Sequence, residues 1–233
     1  MANKRIYSNL ISIYRMENFI EGICNHLARS AGNTVAEKPG LTAFNPLVLY
    51  GTMGTGKTHL ANAIGARIKE LFPNKTVIYV SSKTFQMQFS DSVKTRTSDL
   101  FIQFYEKSDV LILDDIQAWS NQYPKVQEVF LYILIQLLQH NGQIIITSDR
   151  APIELDGIDS NIRSYLTSGL CAELLTADKE TIKLIARQKI ETAHIEICDQ
   201  LVEEIANSFN SSVRDLDGAI ATLLAQKTYS PSF

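Results

Sequence analysis

The stretch Gly51-Thr52-Met53-Gly54-Thr55-Gly56-Lys57-Thr58 holds three of the chain's 11 glycines in eight positions and ends in a lysine and a hydroxyl. It follows the apolar run Leu47-Val-Leu-Tyr50 and fits the pattern G-x-x-x-x-G-K-[ST]. Backbone N–H groups can converge on phosphate oxygens only at dihedral angles that glycine tolerates and most residues avoid. The lysine of such a loop reaches the β/γ-phosphates and the hydroxyl binds Mg²⁺, which assigns these roles to Lys57 and Thr58. A helix starting near Lys57 would point its positive end at the same anions.

A second acidic element belongs on a neighbouring strand. Leu111-Ile-Leu-Asp114-Asp115 supplies it, an apolar run ending in two carboxylates. Adjacent acids at the end of a buried strand repel one another unless a cation and a water offset the charge. Asp114 is read as the metal-holding residue and Asp115 as the one that orients or deprotonates the attacking water. Ile144-Ile-Ile-Thr147-Ser148-Asp149 ends another apolar run in three polar side chains, a position suited to sensing a γ-phosphate or holding the lytic water, or to capping a turn into the next helix. Ser212-Val-Arg214-Asp215 has the form of a capping box, which places Arg214 in the first turn of a helix. A cation is disfavoured there by the macrodipole by only a few tenths of a kcal/mol. A bound phosphate facing Arg214 gives a better reason for its place than solvation does.

These residues need a scaffold that brings strand ends together. The runs Leu47–Tyr50, Val77–Val80, Val110–Leu113 and Ile144–Ile146, with a weaker one over Leu170–Leu175, read as buried parallel strands. Between them lie segments long enough for crossover helices: Lys57–Leu71, Lys83–Lys107 and Lys125–His140. The alternation predicts an α/β domain with an open parallel sheet flanked by helices. Beyond residue 176 only helical periodicity continues, through Ile182, Ile185 and Ile190, then Leu201 to Phe209, then Val213 to Leu224. This predicts a small C-terminal lid of three helices opening with Thr176 as N-cap. The organisation expected is an N-terminal extension over 1–13, an α/β nucleotide-binding unit over 14–175 and a helical lid over 176–233.

Composition narrows the rest. A net charge of -3 means that any nucleic-acid contact must come from a local basic patch or a partner. Cys24, Cys171 and Cys198 are widely spaced and odd in number, and the four histidines are scattered, so no zinc site is expected. No apolar run is long enough for a membrane span and Met1 to Asn9 has no signal-peptide core, so a reducing cytoplasm is expected.

Taken together, Asn45-Pro-Leu-Val-Leu-Tyr-Gly51, Gly56-Lys57-Thr58-His59-Leu60, Leu113-Asp-Asp-Ile-Gln117, Ile144 to Arg150 and Ser211 to Ile220 resemble the DnaA family of bacterial replication initiators, specifically its AAA+ ATPase domain. Arg15-Met-Glu-Asn-Phe-Ile-Glu-Gly22 is similar to that family's entry segment, and the likeness runs from about residue 14 to 227. The resemblance implies an AAA+ P-loop NTPase fold, ATP or ADP with Mg²⁺ between sheet and lid, and self-association or assembly with other subunits of the same type. It implies Ile20 and Gly22 near the adenine. It implies Gly51, Thr52, Met53, Gly54, Thr55, Gly56, Lys57, Thr58 and His59 around the phosphates. Asp114 and Asp115 become the Walker B pair, Asp149 the first sensor and Arg214 the lid sensor. Single-stranded DNA is a further partner it implies.

Three positions depart from the family pattern. No helix-turn-helix precedes the end at Phe233, so sequence-specific duplex binding is not expected. The segment Phe101 to Glu106, where relatives carry basic residues for single strands, has none. The arginine-finger position falls on Tyr165, a neutral hydroxyl, with Arg163 two residues earlier, so slow hydrolysis that self-association hardly accelerates is expected. The alternative to an initiator core is a regulatory adaptor or helicase loader of the same type, acting through protein contacts.

Overall fold

The computed structural model describes residues 9–192 and, beyond them, residues 202, 203, 216, 218 and 220. Five strands, β1 (Leu47–Tyr50), β2 (Val77–Ser81), β3 (Val110–Asp114), β4 (Gln143–Ser148) and β5 (Leu170–Glu173), form one sheet in the order β2-β3-β4-β1-β5. All pairings are parallel. Helices α1 (His26–Glu37), α2 (Lys57–Leu71), α3 (Ser82–Lys94), α4 (Ser98–Glu106), α5 (Pro124–Gln139) and α6 (Ser160–Ser168) flank it, and α7 (Lys179–Thr192) follows.

The uninterrupted apolar character of the strands is explained by helices on both faces. Val48, Ile78, Leu111, Leu113, Ile144 and Ile146 pack in one core with Phe85, Phe130 and Ile162. Leu47, Leu49, Val110, Ile112 and Ile145 point the other way, into a core with Leu60, Ile64 and Val35. The period-two alternation of a strand therefore feeds two cores. Each such Leu or Ile side chain contributes ~1.5–3 kcal/mol by leaving water. A third, smaller cluster joins Ala186 and Ile190 of α7 to Val202, Leu216 and Ile220.

Three features differ from the sequence expectation. The segment expected as one helix over Lys83–Lys107 is two. Thr95 and Thr97 share a hydroxyl hydrogen bond (2.8 Å), the Thr95 hydroxyl also donates to the Asp91 carbonyl (2.9 Å), and Arg96 turns the chain at φ +57°. Hydroxyl side chains that bond to nearby backbone compete with helix propagation. The turn swings Phe101 and Tyr105 back onto Phe85, with centroids at 5.0 and 4.9 Å. Helix α1 was not expected; its buried face is built of Ala28, Ala31, Gly32, Val35 and Ala36, small residues that make no run of large apolar side chains. Those small residues let α1 lie close on α2: a Cβ at Gly32 would sit 2.8 Å from the Ile64 Cδ1. Finally, Asp178 rather than Thr176 opens α7, its carboxylate accepting from the Thr181 N–H at 2.8 Å. The lid helices expected further on, with Arg214 and Cys198, lie outside the described residues apart from the isolated positions above.

Candidate functional site

The strand order reverses at β1, whose neighbours β4 and β5 lead the chain to opposite sides, and a ligand crevice is expected outside the carboxyl ends of strands at such a point. The glycine-rich loop leaves β1 there. Gly54 and Gly56 take φ of +85° and +96°, and α2 starts at Lys57. Gly51, at φ +144°, lies so close to the chain after β5 that a Cβ would stand 2.1 Å from the Leu174 carbonyl oxygen. Gly51→Ala is therefore expected to lower stability by ~1–3 kcal/mol, the usual cost of forcing extra volume into a packed region. Urea unfolding with an unchanged midpoint would contradict this.

Lys57 is 93% shielded from solvent, with only 7% of its surface exposed. Its Nζ donates to the carbonyls of Gly51 (2.8 Å) and Thr52 (2.7 Å), so the ammonium is curled inside the loop it serves. The Thr58 hydroxyl meets both carboxylate oxygens of Asp114 at 3.1 Å. Asp114 also accepts from the Tyr79 hydroxyl (2.8 Å) and the Thr147 hydroxyl (2.5 Å). Burial pushes the Asp114 carboxyl above the usual carboxylate range; the hydroxyl donations oppose this and the neighbouring Asp115 charge adds to it. Tyr79 is shifted up as well, by burial and then by the Asp114 charge.

Asp115 is exposed and left-handed, at φ +60°. Its N–H donates to the Thr147 hydroxyl oxygen at 2.8 Å, and its Oδ1 accepts from the Gln117 side chain at 3.0 Å. Gln117 in turn accepts from the Asp149 N–H at 3.3 Å, which bridges the two acids. The Asp149 carboxylate is forked by Arg150 at 2.8 and 2.8 Å, which holds it below its ordinary range. A cavity of about 530 Å³ collects Thr52, Met53, Gly54, Gly56, Lys57, Thr58, His59, Asp115, Gln117 and Asp149, with Tyr14 and Lys189.

A second cavity of about 380 Å³ adjoins it, sharing Tyr14, Gly56, His59 and Lys189. Its remaining wall includes Phe19, Ile20, Cys24, Thr55, Leu175 and Ile185, a largely apolar slot beside a polar one. His59 stacks on Tyr14 at 4.6 Å, and its Nε2 lies 2.8 Å from the Asn18 side-chain oxygen. Burial lowers the proton affinity of His59, which favours the neutral ring. Ile20 lines the slot, whereas Gly22 stands behind it against α7, where a Cβ would come within 2.1 Å of the Thr181 hydroxyl. Asn25 ties the two together, donating to the Ile20 carbonyl and accepting from the Gly22 N–H, both at 3.0 Å.

A larger hollow of about 790 Å³ lies at the opposite edge of the sheet, among Lys38, Lys75, Asp109 and His140. Helix C-termini rather than N-termini gather there, so it lacks the helix N-terminal N–H groups that favour a bound anion. The two adjoining cavities, though smaller, gather the glycine-rich loop with Asp115 and Asp149 and are the candidate site.

The structure thus brings the loop, Asp114, Asp115 and Asp149 together. Sequence reasoning missed Tyr79, Thr147 as a partner of both acids, and Gln117. Tyr165 is half-buried against the core from α6. Arg163 has a buried Nε with no acceptor among the described residues. Among those residues no group of three or more His, Cys, Asp or Glu forms a metal cage. Thr58 and Asp114 instead present hard oxygens at one point, which suits Mg²⁺, an ion that takes one or two protein oxygens and completes its shell with phosphate and water.

The family model described as the bacterial DnaA ATPase domain matches residues 10–173. The chromosomal replication initiator protein DnaA of Bacteroides fragilis is 46% identical over 215 residues, 92% of this chain and 45% of that protein. The crystal structure of domain III of the Thermotoga maritima replication initiation protein DnaA superposes with a TM-score of 0.90 at 35% identity, covering 94% of this chain and 90% of that one. A replication initiator DnaA bound to AMPPCP and single-stranded DNA gives a TM-score of 0.85 at 32% identity, over 92% of this chain and 66% of that one. The chain spans about half the length of the curated relatives it matches.

Proposed function

The chain belongs to the bacterial DnaA ATPase domain family, and from that premise we propose that it is the ATP-binding and slowly hydrolysing AAA+ core of a chromosomal replication initiator. The observation that carries the reading is the meeting of the Thr58 hydroxyl with the Asp114 carboxylate beside the buried Lys57, at the point where strand order reverses. We further propose the division into an extension (1–13), an α/β unit (14–175) and a lid (176–233), with a cytoplasmic location.

In this reading the base enters the slot beside Phe19 and Ile20, and the phosphates lie along the loop against the N-terminus of α2. Lys57 turns from the Gly51 and Thr52 carbonyls to the β/γ-phosphates. Thr58 and Asp114 hold Mg²⁺, which when bound neutralises phosphate charge. Asp115, at the mouth of the polar cavity, orients the attacking water and accepts its proton. Asp149 senses the γ-phosphate edge of the site. Arg214 is assigned to the lid sensor on its motif alone. Hydrolysis then serves to reset an assembly of like subunits, and not to supply a product.

The neighbour captured with single-stranded DNA supports a single-strand role for this chain. Lys83, Lys94 and Arg96, on α3 or in its following turn, are the basic residues proposed to meet the strand. The test is a pair of titrations. Calorimetry is expected to show ATP and ADP bound and adenosine bound far more weakly. Fluorescence anisotropy is expected to show salt-sensitive binding to single strands and no discrimination among duplex sequences, because phosphate contacts carry no sequence information. Equal affinity for adenosine and ATP would sink the nucleotide assignment. Nanomolar preference for one duplex at physiological salt would sink the DNA assignment.

A further inference from the structure

The hydroxyl of Thr147 does two things at once. It donates to Asp114 Oδ1 at 2.5 Å and accepts from the Asp115 N–H at 2.8 Å. Thr147 is fully buried in β4, one strand away from the acids on β3, and its own ladder position is fixed opposite Leu49 of β1. The single oxygen therefore serves the side chain of one acid and the backbone of the next.

That arrangement matters because of what happens between the two acids. Asp114 ends β3 in extended pairing, and Asp115 flips to φ +60°, ψ +55°, a conformation that non-glycine residues seldom adopt. The flip sends one carboxylate inward to Thr58 and the other outward to the cavity with Lys57 and Asp149. Without an acceptor for its N–H, the Asp115 peptide would lose the partner that offsets its uncommon backbone. We propose that Thr147 is a positioning residue for hydrolysis, the hydroxyl that holds the metal-side acid and the water-side acid at fixed relative orientation. This rests on the reading of Asp114 and Asp115 given above.

The role separates from simple packing in a defined way. Thr147→Val keeps the branched shape that a β-strand position accommodates and removes the oxygen. Thr147→Ser keeps the oxygen and removes a methyl group. ATP affinity, which depends on the loop and Lys57, is expected to stay within ~3-fold of wild type in both. Turnover at saturating ATP and Mg²⁺ is expected to fall ~10- to 100-fold in Thr147→Val, the scale of one lost hydrogen bond to a charged group. Thr147→Ser is expected to recover to within ~3-fold of wild type. A packing role predicts the reverse order, with Ser the worse variant.

Thr147→Val turning over within 2-fold of wild type would overturn the inference, as would Ser and Val impaired alike. Should Val fail to fold, Thr147→Ala against Thr147→Ser makes the same comparison, and equal turnover in that pair is the overturning result. A wild-type chain that binds ATP but does not hydrolyse it removes the assignment of Asp115 and this inference with it. Loss confined to Thr147→Val in an active wild type isolates the positioning step.

Discussion

Lys57→Ala is expected to bind ATP and ADP at least ~100-fold more weakly than wild type while remaining folded. The ammonium is held inside the loop by the backbone carbonyls of Gly51 and Thr52. It is thus poised to exchange neutral acceptors for charged ones. A hydrogen bond to a charged group contributes ~1.5–3 kcal/mol, and about 1.4 kcal/mol is tenfold in affinity, so one or two such contacts account for the figure. The substitution leaves both loop carbonyls without their donor as well, which loosens the cradle in the unliganded protein. Lys57→Arg is an informative companion. It keeps the charge, but a planar guanidinium does not fit a slot shaped around a compact ammonium, so little recovery is expected. Calorimetry showing unchanged ATP affinity in a folded Lys57→Ala protein would defeat the phosphate-loop assignment.

Asp115→Asn should do the opposite, sparing binding and removing chemistry. Asparagine is among the few residues that tolerate the left-handed backbone found at Asp115, so the turn after β3 and the Thr147 contact survive. What disappears is the carboxylate proposed to accept a proton from water. General-base contributions run ~10²–10⁴-fold, and a fall in single-turnover rate of that order is expected, with ATP affinity within a few-fold of wild type. If Asp115→Asn loses binding while Asp114→Asn keeps it, the two roles are the other way round.

The parts of the molecule legible in the sequence are those where one physical requirement dominates. A strand buried on both faces must be apolar throughout, so β1, β3 and β4 stood out as uninterrupted runs. A phosphate cradle must have glycine at its sharp turns, so the loop stood out too. What escaped depends on register and on contacts far apart in the chain. Tyr79 reads as a core aromatic, and only the pairing of β2 with β3 brings its hydroxyl to Asp114. Gln143 is a buried polar residue at the start of β4, acceptable because the Gly40 N–H and the Phe44 carbonyl satisfy it across some 100 residues of sequence. Helix α1 hid behind alanines, and Thr176 lost the capping position to Asp178 because an acid two residues on was better placed for the Thr181 N–H. Arg214 belongs to a stretch outside the described residues, so its assignment still stands on the motif.

The wall of the adjoining cavities draws on Ile13, Tyr14 and Phe19, made early, and on Ile185, Lys189 and Thr192, made much later. Those two segments touch directly, the Gln188 side chain reaching the Glu17 carbonyl at 3.5 Å. During synthesis a domain is made from its N-terminus at roughly 5–20 residues per second. The loop, the acids and β4 emerge well before α7 does. A nascent chain therefore carries the phosphate cradle for several seconds with one side of the slot missing. The complete slot is thus a late product of synthesis, closed on this side only once α7 has been made.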